Sequence, residues 1–304
     1  MPEALSPFQP GTHIQFAWDS TSLGWFKSCP RKYYYSMIRG LRKRHDTAPA
    51  LSFGLHYHKA LETYDRLIAS GSTHEPALRE VVREAMIASV DLPADEPIRN
   101  RFNLIRTIIW YLEEFRDDPA KTLILANGKP AVELSFRLEI FPNTILCGHM
   151  DRVVEFLGDH YVMDRKTTTT IISSYYFERY NPDNQMTLYT AASQIIYQTP
   201  VKGVIIDAAQ TAIGFSKFAR AFTYRTPDQV AEWLGQTHRW IATAQEMANH
   251  PRADEASAWP MNDKSCHDFG GCPFRPICSK APSVRESFLA TDYITKRWNP
   301  LEVR

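Results

Sequence analysis

The chain has 304 residues, of which 44% are hydrophobic and 23% charged; it can bury a sizeable core and is too apolar to be a disordered chain. A formal net charge of +1 excludes a uniformly basic coat for nucleic acid and leaves any such affinity to local patches. No apolar run approaches the roughly 20 residues of a bilayer span, and the N-terminal MPEALSPFQPGTH lacks the basic-then-apolar pattern of a secretory leader.

A cytoplasmic protein is therefore expected. Its five cysteines then read as metal ligands or buried thiols before they read as disulfides. No internal repeat, low-complexity tract or linker interrupts the chain, so residues 1–304 are expected to form a single domain.

The first half reads mostly helical. Residues 20–41 carry apolar and aromatic positions at helical spacing, broken at Pro30. Residues 52–69 (SFGLHYHKALETYDRLIA) form an amphipathic helix closed by Ser70-Gly71, and two more helices are expected over 75–89 and 97–115. The period then changes. AVELSFRLEIF alternates with period two, TILCGHMDRVVEF follows the Pro142-Asn143 turn signal, and HYVMDRKT follows Gly158-Asp159. A helix over 183–197 comes next, then the apolar run VKGVIIDAAQ of a buried strand, the alternating FSKFARAFTYR, and a long helix over 226–249. This order predicts one mixed α/β sheet with helices on its faces.

The strand pattern brings charged groups together. Asp164 and Lys166 lie two apart and share one face, with Arg165 opposite. If the two flanking strands pair through the Gly158 turn, Asp151 lies beside Asp164. Two carboxylates so close repel, and their burial is costly unless a cation joins them. Hard oxygen donors favour Mg2+ or Mn2+, and a neighbouring lysine can orient a water or steady a phosphoryl transition state. The simpler alternative is a cross-strand Asp–Lys salt bridge.

The set and order of motifs resemble the PD-(D/E)XK nuclease superfamily, and more closely its RecB-like branch. Gly54-Leu55-His56-Tyr57-His58 is similar to the helical Gly-x-x-x-His motif, with Glu62 one turn on. Gly148-His149-Met150-Asp151 is similar to Gly-x-x-Asp, Asp164-Arg165-Lys166 to the Asp-x-Lys core, and Gln185-Met186-Thr187-Leu188-Tyr189 to Gln-x-x-x-Tyr.

The resemblance implies a restriction-endonuclease-like fold, a mixed central sheet flanked by helices with its core at about 52–225. It implies that His58, Asp151 and Asp164, with the backbone carbonyl of Arg165, bind the metal and that Lys166 handles the attacking water. Gln185 and Tyr189, four apart on one helix face, would steady Lys166 or the DNA backbone. Glu133 matches an acidic residue of the preceding strand. His56 is the rival of His58, but the Gly-x-x-x-His spacing selects His58; His149 reads as structural.

The cysteines add a second site. SCHDFGGCPFRPICSK places Cys266, Cys272 and Cys278 with five residues in each gap, whereas Cys147 in its strand reads as a small buried apolar residue. Cys29, in SCPRKYYYSMIRG, resembles the first ligand of the iron–sulfur nucleases of the branch. These include CRISPR-associated RecB-like exonucleases, the AddB nuclease domain and phage exonucleases. The implied 4Fe-4S cluster is held by Cys29, Cys266, Cys272 and Cys278, clasping segments 18–45 and 260–282 together. The alternative is Zn2+, with His267 as a further donor, although the closely paired Cys-x-x-Cys steps of zinc sites are missing.

RKYYYSMIRGLRKR supplies Arg31, Lys32, Arg42, Lys43 and Arg44 with interleaved tyrosines, a pattern that suits phosphates and stacked bases; the alternative is a helix end with its tyrosines in the core. No Gly-x-x-x-x-Gly-Lys-Ser/Thr loop is present, so a helicase or recombinase would be a separate partner.

The expected activity is a metal-dependent DNA exonuclease acting on single strands or duplex ends in phage or prokaryotic recombination or repair, with the host cytoplasm as location if phage-encoded. The alternatives are a CRISPR adaptation nuclease and a non-catalytic DNA-end-binding protein.

Overall fold

The computed structural model describes residues 5–44, 49–196 and 200–302. In chain order they form β1 (Ala17–Trp18), α1 (Ser20–Ser28), α2 (Pro30–Tyr33), β2 (Leu41–Lys43), α3 (Pro49–Ala69), α4 (His74–Ala88), α5 (Arg101–Glu114), β3 (Lys121–Thr122), β4 (Val132–Phe141), β5 (Thr144–Phe156) and β6 (Asp159–Thr168). There follow α6 (Ser174–Glu178), α7 (Asn184–Ile196), β7 (Val201–Thr211), β8 (Ser216–Thr223), α8 (Pro227–Ala248), α9 (Arg275–Cys278), α10 (Arg285–Asp292) and β9 (Tyr293–Thr295). The architecture is mixed α/β, a mixed sheet with helices packed on it, as the sequence pattern and the resemblance imply. Its contacts divide into two compact units.

One unit takes its described residues from 48–135 and 149–230. Its centre is β6, which pairs antiparallel with β5 from Arg152↔Met163 to Phe156↔Asp159. Leu157 and Gly158 close that hairpin, both with positive φ (53° and 84°), the conformation a tight two-residue turn demands. On its other side β6 runs parallel to β7, so the chain needs a crossover, which α6 and α7 provide. β8 then pairs antiparallel with β7. The apolar run in β7 is explained by this position: it is covered on both faces.

The two faces are dressed differently. The parallel register places Arg165 beside Asp207 and Thr167 beside Ala209 on one face, and Lys166 beside Ala208 on the other. Helices α3, α4 and α5 pack on the first face. Phe53, Tyr57 and Leu61 of α3, four apart, meet Val81 and Ala85 of α4, Leu104 and Ile108 of α5, and Ala209. Gly54 of α3 faces Thr167 of β6, whose Oγ1 would lie 3.4 Å from a Cβ at that position. The second face receives α7. The predicted helix over 97–115 begins at Arg101 instead, because Asn100 caps it by accepting from the Asn103 backbone N–H. Tyr197, the predicted end of α7, lies outside the described residues.

Beneath α3 and α5 the sheet buries a charge network. Arg165 Nη2 stands 2.7 Å from Asp65, Arg152 lies 3.6 Å from Asp65 and 3.8 Å from Asp118, and Arg220 reaches Asp118 at 2.8 Å and Asp207 at 3.1 Å. The Tyr111 hydroxyl also donates to Asp207. These groups are tolerated in the interior because each charge has an opposite partner.

The other unit takes its described residues from 1–47, 136–148 and 231–303. β1 pairs parallel with the start of β5, Ala17 opposite Ile145. Asp19 opens α1 with a capping box to Ser22. The expected helical segment 20–41 is divided: α1 ends at Ser28, α2 begins at Pro30, a π-helical turn spans Tyr34–Ile38, and β2 pairs antiparallel with β9. Tyr33, Tyr34 and Tyr35 are buried, packed against Trp18, Trp259 and Phe274. They form core rather than an exposed stacking platform. Arg31 is also buried, its Nε donating to the Trp259 carbonyl at 3.0 Å.

Asp65→Ala strands the Arg165 guanidinium in the interior. The expected cost is about 3–5 kcal/mol of unfolding free energy in urea titrations, the range for breaking one half of a buried pair; a loss below about 1 kcal/mol would show that the network does not hold the fold.

Candidate active site

The strands β5 and β6 stop pairing after Arg152↔Met163, and the next residue of β5 is Asp151. Its carboxylate fills the gap that opens there. Oδ2 accepts the backbone N–H of Arg165 at 2.8 Å, taking a donor that a paired strand would otherwise use. From α3, His58 brings Nδ1 to 3.3 Å from Asp151 Oδ1. From β4, Glu133 completes the group: one ligand atom each from His58, Glu133 and Asp151 lie within 4.8 Å of one another. Glu133 holds a left-handed backbone, φ 50°, a strained conformation for a non-glycine residue and one that clusters at functional positions.

Asp164 and Lys166 lie on the same face of β6, as the period-two reading predicts. Lys166 Nζ is 2.7 Å from Asp164 Oδ2 and donates to Gln185 Oε1 at 2.8 Å. Gln185 in turn donates to the Tyr189 hydroxyl at 2.9 Å, one turn further along α7. The gap is thus served by α3 from one face of the sheet and by α7 from the other.

The family model of the PD-(D/E)XK nuclease superfamily matches residues 20–279. The chain belongs to this superfamily. No curated protein matches the sequence. A solved structure from Eubacterium rectale that carries a provisional exonuclease name is similar at 13% identity, covering 83% of this chain and 88% of its own, with a TM-score of 0.49.

In this PD-(D/E)XK chain the electrostatics follow from crowding. Burial pushes the Asp164 carboxyl above the usual carboxylate range; Lys166 opposes this and the Asp151 charge adds to it. Burial acts in the same direction on Asp151, but His58, Lys166 and the Arg165 N–H outweigh it and hold that carboxyl well below its ordinary value. Burial disfavours charge on His58 and Lys166 as well, yet the neighbouring carboxylates raise both above their usual values. Asp164 Oδ2 is buried, with the Lys166 ammonium 2.7 Å away as its partner.

The grouping of His58, Glu133 and Asp151, with the Asp164 carboxyl close enough to feel the Asp151 charge, fits a hard divalent cation. Mg2+ or Mn2+ would be held by His58, Glu133, Asp151 and Asp164.

The other motif residues are spoken for. His56 Nε2 pairs with Asp91 at 2.7 Å, which leaves His58 as the histidine of the metal group. Glu62, one turn beyond His58, pairs with Lys59 at 2.9 Å and with Arg66 at 3.0 Å. His149 Nδ1 meets Ser135 Oγ at 2.8 Å. Asp207, a lone acid in an apolar strand, carries a sequence signal for the buried network that the motif reading passes over; Asp65 carries none, because an acid on an amphipathic helix ordinarily faces water.

The cysteines of the other unit are not drawn into a tight group. Among the described residues, no three cysteine sulfurs lie within 4.8 Å of one another. They do feel one another. Burial raises the Cys266 thiol first, and Cys272 and Cys29 add to it; burial likewise pushes Cys278 up to about 11, with Cys272 and Cys29 contributing and Arg31 opposing. The Asn262 backbone N–H lies 3.3 Å from Cys29 Sγ. Cys147 is fully buried and its thiol is pushed up to about 12 by burial, as befits an inert core residue.

Replacing ligands should weaken metal binding without unfolding the chain. Asp151→Asn and Glu133→Gln are each expected to weaken Mn2+ affinity at least about tenfold by calorimetric titration, as loss of charged donors does at hard-cation sites. Unchanged affinity in both would remove them from the metal group.

Proposed function

We propose that the protein is a metal-dependent deoxyribonuclease, acting as an exonuclease on single-stranded DNA or duplex ends. The observation that carries this reading is the convergence of His58, Glu133 and Asp151 where β5 and β6 part, with Asp164 and Lys166 beside them. A divalent ion in that group would lower the pKa of a bound water and neutralise charge on the scissile phosphate. Lys166 is held protonated by Asp164 and aimed by Gln185, so it offers donors to the attacking oxygen and to the phosphoryl oxygens as charge builds. Tyr189 fixes Gln185 and so fixes the reach of Lys166. Hydrolysis adds water across the P–O3′ bond and leaves a 5′-phosphate and a 3′-hydroxyl.

Recombination or repair is the setting that end degradation serves, with a separate helicase or recombinase supplying the ends. Among the described residues no helix is long and apolar enough to cross a membrane. Of the basic segment proposed to touch DNA, Lys43 is exposed, Lys32 is half-buried, and Arg44, though exposed, donates to the Thr291 carbonyl at 3.1 Å. Arg42 is committed to the Ser36 and Leu41 carbonyls and to the Trp25 ring, and Arg31 to Trp259.

The second part of the proposal is a structural 4Fe-4S cluster on Cys29, Cys266, Cys272 and Cys278. The Asn262 N–H at 3.3 Å from Cys29 Sγ and the Ser265 hydroxyl donating to the Ser28 carbonyl at 2.8 Å, which hold Cys29 against the segment that carries Cys266, support it. Zn2+ is the less suitable occupant: a tetrahedral zinc with ~2.3 Å bonds draws its sulfurs to within about 4 Å of one another, whereas a cubane spaces its thiolates more widely. Such a link between distant parts of the sequence removes much chain entropy from the unfolded state.

With Mn2+ or Mg2+, the wild type should degrade end-labelled single- or double-stranded DNA but leave closed circles intact. Chelation should stop it, and Lys166→Ala should slow it by roughly 10²-fold or more. No degradation by the wild type, or full activity in Lys166→Ala, would leave a binding protein in its place. Protein purified without oxygen should show broad visible absorbance that Cys29→Ser removes; a colourless, zinc-containing protein would overturn the cluster.

A further inference from the structure

In the unit that carries the catalytic group, a groove of about 840 Å³ lies along α4 and α5. Met86, Val90, Ile105, Phe102 and Trp110 are among the residues that line it. Phe102 is 78% and Trp110 42% exposed, an unusual place for large rings on a helix otherwise buried along its inner face. They lie eight positions apart with Arg106 midway, so the three form one stripe stepping about 6 Å per interval. The Arg106 guanidinium stands 5.5 Å from the Trp110 ring centre.

The cations of this groove are not cancelled. Arg106 donates to the Ala212 carbonyl at 2.6 Å and the Phe215 carbonyl at 3.0 Å, its Nε is buried without a partner, and Arg101 donates to the Met86 carbonyl. Among the described residues both are bound to backbone carbonyls rather than to carboxylates. The occupant therefore carries negative charge together with flat apolar surface, which are the two chemistries that alternate along single-stranded DNA.

The 91–99 loop beside the groove is tied to the two elements that carry the catalytic group. Arg99, three residues before Phe102, donates to Thr169 Oγ1 at 3.5 Å, and Thr169 lies three residues beyond Lys166. Asp91, next to Val90, bonds Ser52 and His56 on the stretch of α3 that carries His58. An acidic amphipathic peptide would also satisfy the charge and the apolar floor; single-stranded DNA is favoured because the nuclease reading already calls for it on this unit.

We propose that the outer face of α5 is a track for single-stranded DNA, with bases stacking on Phe102 and Trp110 and phosphates drawn to Arg101 and Arg106. The proposal rests on the nuclease reading for its substrate class, yet it is tested by binding alone. Fluorescence anisotropy with a labelled oligodeoxythymidine, in chelator so that no cleavage occurs, is compared with an abasic strand of equal length. The wild type should prefer the thymidine strand. Phe102→Ala/Trp110→Ala should lose at least about tenfold in affinity for it and with it the preference over the abasic strand, since two base–aromatic stacks together are worth more than that. Phe102→Tyr/Trp110→Phe, which keeps both rings, should retain both.

Unchanged thymidine affinity in the alanine pair overturns the track, and a simultaneous change in its self-association would assign the groove to protein docking instead. Loss of affinity in a wild-type background that cuts no DNA would keep the track and sink the nuclease reading.

Discussion

Two carboxylates buried where a β-hairpin comes apart set the terms for the rest of this structure. As long as β5 and β6 stay paired, backbone donors are consumed by the ladder and side chains simply alternate between faces. Once pairing ends at Arg152↔Met163, the Arg165 N–H is free to bind a side chain, and Asp151 takes it. That single hydrogen bond draws one carboxylate toward the strand that carries the other. Repulsion between Asp151 and Asp164 is then unavoidable, and Lys166 and His58 are the local response. A bound divalent cation would complete what they begin. The strain at Glu133 belongs to the same account: an acid is held in a left-handed conformation at the one place where its carboxylate meets the others.

The reverse side of the same strands shows what precise placement of these groups requires. Both strand carboxylates are followed by an arginine, Arg152 after Asp151 and Arg165 after Asp164, and alternation sends both arginines under the helices. There they meet Asp65, Asp118 and, through Arg220, Asp207. A hydrophobic back face would be cheaper to bury. What the ionic one supplies is direction: bidentate and bridging arginines fix the lateral position of β5, β6 and β8, and with it the distance between the carboxylates on the far side.

Much of this is legible in the residues. The period-two runs mark β4 to β8 closely, because each of these strands has distinct environments on its faces or is buried on both. The spacing of Asp164 to Lys166 and of Gln185 to Tyr189 states directly which side chains share a face. Other features are hidden for physical reasons. Residues 31–44 have the composition of a nucleic-acid stripe, yet the tyrosines are core and Arg31 and Arg42 cap carbonyls, since sequence gives residue types and not their depth. Short strands such as β2 and β9 pair only through contacts distant in sequence, which no local period announces. Asp65 and Glu62 both stand on α3; only the fold turns the first inward and leaves the second among Lys59 and Arg66.

The central claim is that the parted strands hold a divalent ion. A crystal structure grown with Mn2+, with anomalous difference density collected at the manganese edge, tests it most directly. The account predicts a peak at oxygen- and nitrogen-bonding distance, about 2.0–2.3 Å, from His58, Glu133 and Asp151, with Asp164 reoriented toward it. A peak elsewhere in a protein that degrades DNA, with Asp151 still bound only to His58 and the Arg165 N–H, would contradict it.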